Sequence, residues 1–292
     1  MLSRLHLPKL DPTPKTVIEY LIAHFPHIAA ETWRDRVENG KVTLDDGTTL
    51  TTESPYRHGV TVLYSREVPT EPAADVEETI LFQDANILVA DKPHGMVVTP
   101  SGKHVERSLL ARLQNSSGLG KLAPVHRLDR ETAGVVLFTV NIEARARYHE
   151  LFSSRSVQRE YVAVAKIDHV GMERVWDVRN RLEEGDPWYR RRIEKSSGAE
   201  PNAITRIELL ESRNGLGLFR LRPETGKKHQ LRVHMASIGC PIVGDPLYPD
   251  IRKGNEHDSP LQLLAERLAF IDPLSGESRS FISTRQLLWP VE

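Results

Sequence analysis

Five charged or titratable side chains, His126, Arg127, Asp129, Arg130 and Glu131, fall within six positions, directly before Thr132-Ala133-Gly134 and a largely apolar run at 134–140. An Asp between two Arg, on a loop where a core strand begins, is expected to stay ionised, because nearby positive charge favours the carboxylate. Such an anion can act as a nucleophile or as a fixed charge. The plainer alternative is an Asp that only shapes a turn. A second chemistry-bearing segment is LRPETGKKHQLRVHMASIGCPIVGDPLY at 221–248. There Thr225 is placed to cap a helix over 227–238, with Lys227 and Lys228 in its first turn. Two Lys beside free backbone N–H groups make a phosphate site, although Lys at that end opposes the helix dipole. His229 and Arg232 follow on the same helix.

Other chemistries find less support. His229 and His234 are five positions apart, about 140° around a helix, so they do not face one metal ion. His126 and Asp129 lack a third ligand at telling spacing. No G-x-G-x-x-G, P-loop or G-x-S-x-G pattern occurs, which disfavours nucleotide-cofactor enzymes and serine hydrolases. No metal and no cofactor are expected.

These segments need a scaffold. The chain has 292 residues, enough for about two domains, with 39% hydrophobic and 27% charged residues. The single Cys240 excludes an internal disulfide or a cysteine metal cluster. No apolar run approaches the ~18 residues of a membrane span and no leader-like block is evident, so a soluble, cytoplasmic protein without membrane contact is expected. Net charge is −1, but unevenly spread: residues 1–75 hold 8 basic and 11 acidic residues, and residues 101–160 hold 10 basic and 6 acidic. Local basic fields can bind a polyanion on a neutral protein.

Residues 1–15 read as a proline-bearing tail. Residues 16–64 read as a small unit: helices over 16–25 and 29–40, a hairpin around Asp45-Asp46-Gly47, and a strand at 60–64. Residues 65–78 read as a polar linker. From 79 to 292 one globular stretch follows. Helices are expected at 106–114, 142–152 and 227–238, and strands at 134–140, 158–167, 203–210, 216–222, 262–270 and 279–283. Strands dominate without strict alternation, which argues for an α+β fold with a mixed, largely antiparallel sheet.

The run His126-Arg127-Leu128-Asp129 followed by Thr132-Ala133-Gly134 resembles the H-R-L-D-x-x-T-S-G motif of RluA-type pseudouridine synthases. VADKPHGMVVTPSG (89–102), Arg159-Glu160-Tyr161 and the 221–248 segment are similar to the other motifs of that family, in the same order, over about residues 79–285. The N-terminal unit is similar to the alpha-L RNA-binding motif. Ala133 stands where the family has Ser, Thr99 where it often has His, and Lys227-Lys228 where it has Arg-Thr. The resemblance implies cofactor-free isomerisation of uridine to pseudouridine in ribosomal or transfer RNA by a monomer. It implies Asp129 as the catalytic carboxylate, Arg232 as its basic partner and Tyr161 as the aromatic against the base. Arg127 would fill the gap left by an extruded uridine. Lys227 and Lys228, with Arg145, Arg147, Arg155 and Arg159, would contact phosphates, and His229 would line the substrate site. Arg34, Arg36 and Lys41 would be the RNA contacts of the N-terminal unit. The competing readings are a non-catalytic RNA-binding module on a synthase-like scaffold and a metal-dependent hydrolase using His126 and Asp129. Retention of Asp129, Tyr161 and Arg232 favours the enzyme.

Overall fold

The computed structural model describes residues 2–26, 28–65, 77–101, 106–167, 174–194, 196, 198, 200–251 and 260–289. The chain divides into two compact units, residues 1–70 and 71–292. Residues 66–76 of the expected linker lie outside the described residues.

The first unit contains β1 (Leu2–His6), α1 (Val17–His24), α2 (Ala30–Glu38), β2 (Val42–Leu44) and β3 (Thr61–Ser65). Thr16 opens α1 through a capping box with Glu19. Val17, Ile18 and Leu21 then pack with Trp33 and Val37 of α2 in one core. The expected tail is corrected here. Leu2–His6 pairs with β3 along its whole length, and Leu7 is fully buried. The in–out pattern of Leu5 and Leu7 against Arg4 and His6 is too short to stand out in the sequence. Arg36 is also corrected as an RNA contact. Its guanidinium is buried, 4.9 Å over the Trp33 ring.

The second unit runs β4 (Thr79–Gln83), β5 (Ile87–Lys92), α3 (Leu109–Ser117), β6 (Ala123–Pro124), β7 (Ala133–Thr139), α4 (Arg145–Ser153) and β8 (Gln158–Lys166), then β9 (Val175–Asn180), β10 (Leu182–Glu184), β11 (Arg191–Ile193), β12 (Ala203–Arg213), β13 (Leu216–Pro223), α5 (Gln230–Ser237), β14 (Leu263–Ile271) and β15 (Ser278–Ile282). Ten of these strands form one sheet in the order β4-β5-β7-β14-β8-β13-β12-β9, with β15 on β14 and β6 on β7. Among the described residues only the β14–β7 pairing is parallel; the fold is α+β, as its pattern of elements implied. β9, β10 and β11 were not expected. VWDVRN alternates exposed and half-buried positions at the sheet edge, and β10 and β11 span three residues each.

The burial of β7 on both faces explains its apolar run. Val135 and Leu137 pack with Ile87, Val89 and Tyr148 of α4 on one face. Val136 and Phe138 pack with Leu88, Ala90, Leu109 and Leu113 of α3 on the other. Each such side chain contributes about 1.5–3 kcal/mol by leaving water. α5 covers the opposite half of the sheet, where Leu231 and Met235 meet Ala163, Ile207 and Phe219. The sheet centre thus carries β6–β7 and α5 towards one another. Among the described residues no helix is long and apolar enough to cross a membrane.

Candidate active site

Asp129 lies on the turn between β6 and β7, and Thr132 N–H donates to its carbonyl at 3.1 Å. Lys92, at the end of β5, fixes this turn from behind. Its buried Nζ donates to the carbonyls of Pro93 (2.9 Å), Met96 (2.7 Å) and Arg130 (3.0 Å), a full set for the three ammonium protons. Burial pulls Lys92 down to about 7, against the opposing charges of Glu131 and Asp129. His94 Nδ1–H donates to Glu131 O at 2.7 Å. His126 Nε2 accepts the Leu137 N–H at 3.1 Å, and its ring stacks on Phe152 with centroids 4.7 Å apart. Burial pulls His126 down to about 3, so it is a neutral support for the turn. Gly134, the second residue of β7, has φ +115°, and a Cβ there would lie 2.2 Å from Ala265 O. Only glycine admits β14 so close.

α5 builds the facing wall. Arg232 is buried and bidentate to Asp245, with Nε–Oδ2 at 2.8 Å and Nη2–Oδ1 at 2.6 Å. Its remaining Nη1 lies 3.7 Å from Asp129 Oδ2. Burial disfavours the Arg232 cation, but the Asp245 bonds outweigh it and the pKa is raised. Asp245 Oδ1 also accepts the N–H groups of Leu247 (2.8 Å) and Tyr248 (3.1 Å). Tyr248 Oη accepts Arg191 N–H at 2.7 Å and hydrogen-bonds His229 Nδ1 at 3.0 Å. His229 Nε2 lies 4.0 Å from Asp129 Oδ2. Burial, then Arg232 and Lys228, pull His229 down to about 3. It faces Asp129 as a neutral imidazole.

The start of α5 corrects the expected helix. It begins at Gln230 because His229 takes a left-handed conformation at φ 56°. Thr225 Oγ1 does not cap it; it accepts from Ile204 N (2.8 Å) and donates to Gln230 Oε1 (2.8 Å). Lys227 N–H also donates to Gln230 Oε1, at 3.0 Å. Lys227 and Lys228 therefore precede the helix, and their opposition to its first-turn dipole does not arise.

Between the walls is an open cleft of about 1520 Å³, lined by Asp129, Tyr161, Arg232, Arg127, Lys227, Lys228 and His229 among others. Asp129, Tyr161 and Arg232, expected to be catalytic, thus share one cavity with Arg127, Lys227, Lys228 and His229, expected to bind substrate. Seven Arg or Lys against three carboxylates line it, so a nearly neutral protein has a basic cleft. Of the arginines expected at phosphates, Arg155 and Arg159 also line the cleft, Arg159 Nη2 donating to Pro223 O at 3.1 Å, whereas Arg145 does not line it and donates to Lys121 O at 2.8 Å. The Asp129 side chain keeps 30% of its exposure. Desolvation raises its pKa, opposed by Arg232, Lys228 and Lys92, and the net shift is upward. The expectation that Arg127 and Arg130 hold it ionised is therefore corrected. Arg130 pairs with Glu131 at 2.6 Å, and the cations acting on Asp129 come from distant segments. Burial likewise raises Tyr161, which remains a phenol at neutral pH. Sequence reasoning missed Lys92, Asp245 and Tyr248 as supports. All three stood within segments already quoted for their family resemblance, as K-P and G-D-P-L-Y. Among the described residues no three His, Cys, Asp or Glu gather as a metal site.

Comparison with known proteins places this cleft in context. Residues 86–237 match the family model described as RNA pseudouridylate synthase. The chain is 31% identical over 271 residues to the ribosomal large subunit pseudouridine synthase D of Xanthomonas campestris pv. campestris, covering 87% of this chain and 80% of that protein. It is 26% identical over 234 residues to the mitochondrial tRNA pseudouridine(32) synthase of Saccharomyces cerevisiae, covering 80% of this chain and 50% of that one. The solved structure of human RNA pseudouridylate synthase domain containing 4 superposes with a TM-score of 0.54 at 27% identity, covering 71% of this chain and 88% of that chain. The chain belongs to the RluA-type family of RNA pseudouridine synthases, isomerases that convert uridine in RNA to pseudouridine.

Proposed function

We propose that the cleft acts on a uridine of structured ribosomal or transfer RNA, with Asp129 as the reacting carboxylate and no cofactor. The observation that supports this most is the pairing of Asp129 with a guanidinium already held by a second carboxylate. Arg232 is saturated on one side by Asp245, so its Nη1 offers Asp129 a fixed charge without collapsing onto it. In this reading the N1–C1′ bond breaks, the uracil turns in place, and C5 joins C1′, C5 giving up its proton and N1 taking one up. Asp129 either attacks C1′ or supports elimination to a glycal. Tyr161, kept as a phenol, packs against the base. Arg127, exposed at the cleft edge, fills the stack vacated by the uridine, and Lys227 and Lys228 neutralise phosphates. His229 stands beside Asp129 as a neutral imidazole. The N-terminal unit of residues 16–64 assists RNA binding, and the protein works as a cytoplasmic monomer.

The test maps pseudouridines in total RNA from cells with and without this gene, then adds purified protein to the RNA that lacks them. Restoration of the missing sites supports the reading. RNA that is bound with no site restored would favour the non-catalytic RNA-binding module.

A further inference from the structure

Beside the cleft, β10 and β11 form a hairpin, pairing Leu182 with Ile193 and Glu184 with Arg191. Its tip, Gly185-Asp186-Pro187-Trp188-Tyr189-Arg190, closes through Arg190 N–H to Pro187 O at 2.9 Å. The hairpin is fastened to the segment that holds the Arg232 ion pair. Arg190 Nη2 donates to Pro249 O at 2.6 Å, its guanidinium lies 5.1 Å over the Tyr248 ring, and Arg191 N–H donates to Tyr248 Oη. The tip is thus anchored within a few residues of Asp245. Yet Trp188 is 74% exposed, the most exposed of the large hydrophobic side chains described, and Tyr189 beside it is 38% exposed. Their rings meet edge to face at 6.0 Å. Lys228 Nζ lies 5.6 Å from the Trp188 ring centroid, and the same Lys228 charge lowers the Asp129 pKa. Lys228 therefore spans the short gap between the indole and the cleft.

We propose that Trp188 is a stacking platform for an unpaired base of the RNA, one or two nucleotides from the target uridine. This rests on the cleft taking its uridine from RNA. Extruding that uridine leaves neighbouring bases unstacked, and an exposed indole offers a flat replacement surface. Lys228 supplies the charge for the intervening phosphate. The surroundings disfavour a protein partner, because the exposed neighbours Glu184, Asp186 and Arg192 are polar, whereas aromatic anchors of protein interfaces sit among other apolar residues. Arg191 and Arg192 are paired with Glu184 and Glu183, so the hairpin contributes a ring more than a charge.

The experiment uses the full chain and [5-³H]uridine-labelled RNA from cells lacking the gene, following tritium release against RNA concentration. Trp188→Ala should raise KM about tenfold, within the range for losing one stacked base, with kcat within twofold of the parent. Trp188→Phe should restore KM to within twofold. RNA should quench tryptophan emission of the parent, and Trp188→Ala should lose most of that quench. The quench reads stacking without turnover, so failure of the platform and failure of the catalytic reading show separately. A KM within twofold of the parent in Trp188→Ala, a fall in kcat at unchanged KM, or an unaltered quench would overturn the proposal.

Discussion

The floor and the lip of the cleft are built on opposite principles. On the floor, titratable groups are buried and answered by fixed partners: Lys92 by three carbonyls, Arg232 by Asp245, the neutral His229 by Tyr248. On the lip, Arg127, Lys227, Lys228 and Trp188 are exposed, and the charges of Lys227 and Lys228 stand before α5 instead of within it. The floor resembles a protein core in which the groups that support the reacting carboxylate are paired before substrate arrives, the arrangement electrostatic preorganisation requires. The lip leaves its groups to water until a polyanion replaces that water. The difference assigns chemistry to the floor and recognition to the lip, and each substitution below should respect that division.

Asp245→Ala should have the largest effect on stability. It leaves Arg232 as a buried, uncompensated cation, which costs about 3–5 kcal/mol, read as a lower denaturant midpoint. Asp245→Asn keeps an acceptor for Leu247 and Tyr248 N–H and should recover part of the loss. A change below about 1 kcal/mol for the Ala variant would show that the floor does not depend on this pair. Lys92→Met comes next, at about 2 kcal/mol, because three carbonyls lose donors while a buried charge is also removed. Its loss should appear in both stability and kcat, since Arg130 O belongs to the Asp129 turn.

The pH profile tests where floor and lip touch. Asp129 has a raised pKa, so its ionised form, and with it kcat, should fall on acidification at a pH above the ordinary carboxylate range. Lys228 lowers that pKa, so Lys228→Met should move the acid limb to still higher pH. An unmoved limb would separate Lys228 from the carboxylate. The smallest effect belongs to Lys227→Met. The slope of log affinity against log salt should shrink by a little under one, with kcat unchanged. A drop in kcat instead would place Lys227 in the floor.

How much of this was legible in the sequence varied with the range of the interaction. Asp129, Tyr161 and Arg232 could be named because their local motifs are distinctive, and the apolar run of β7 announced a strand buried on both faces. The supports were harder, since each depends on segments that meet only after folding. Lys92 reaches a carbonyl 38 positions away, and Asp245 answers an Arg 13 positions before it. The charge argument failed for the same reason: Arg127 and Arg130 flank Asp129 in sequence, while Arg232, Lys228 and Lys92 act on it in space. The start of α5 was misread because a left-handed His229 carries no sequence signal as clear as glycine would. The hairpin bearing Trp188 was missed because two three-residue strands of mostly charged residues show no apolar period.

The central claim, that the Asp129 carboxylate is the reacting group on a floor built independently of it, is tested most directly by Asp129→Asn. Binding, turnover and melting temperature are measured on one RNA preparation for both proteins. The amide keeps the shape and Arg232 keeps Asp245, so RNA affinity should stay within about twofold, a shift of roughly 0.4 kcal/mol. Pseudouridine formation should vanish. The melting temperature should equal or exceed the parent's. With its folded pKa above the unfolded value, Asp129 binds its proton more readily when folded, so its ionisation at neutral pH costs stability that Asn removes. Turnover by the Asn variant near the parent rate would contradict the account, whatever happened to affinity or stability.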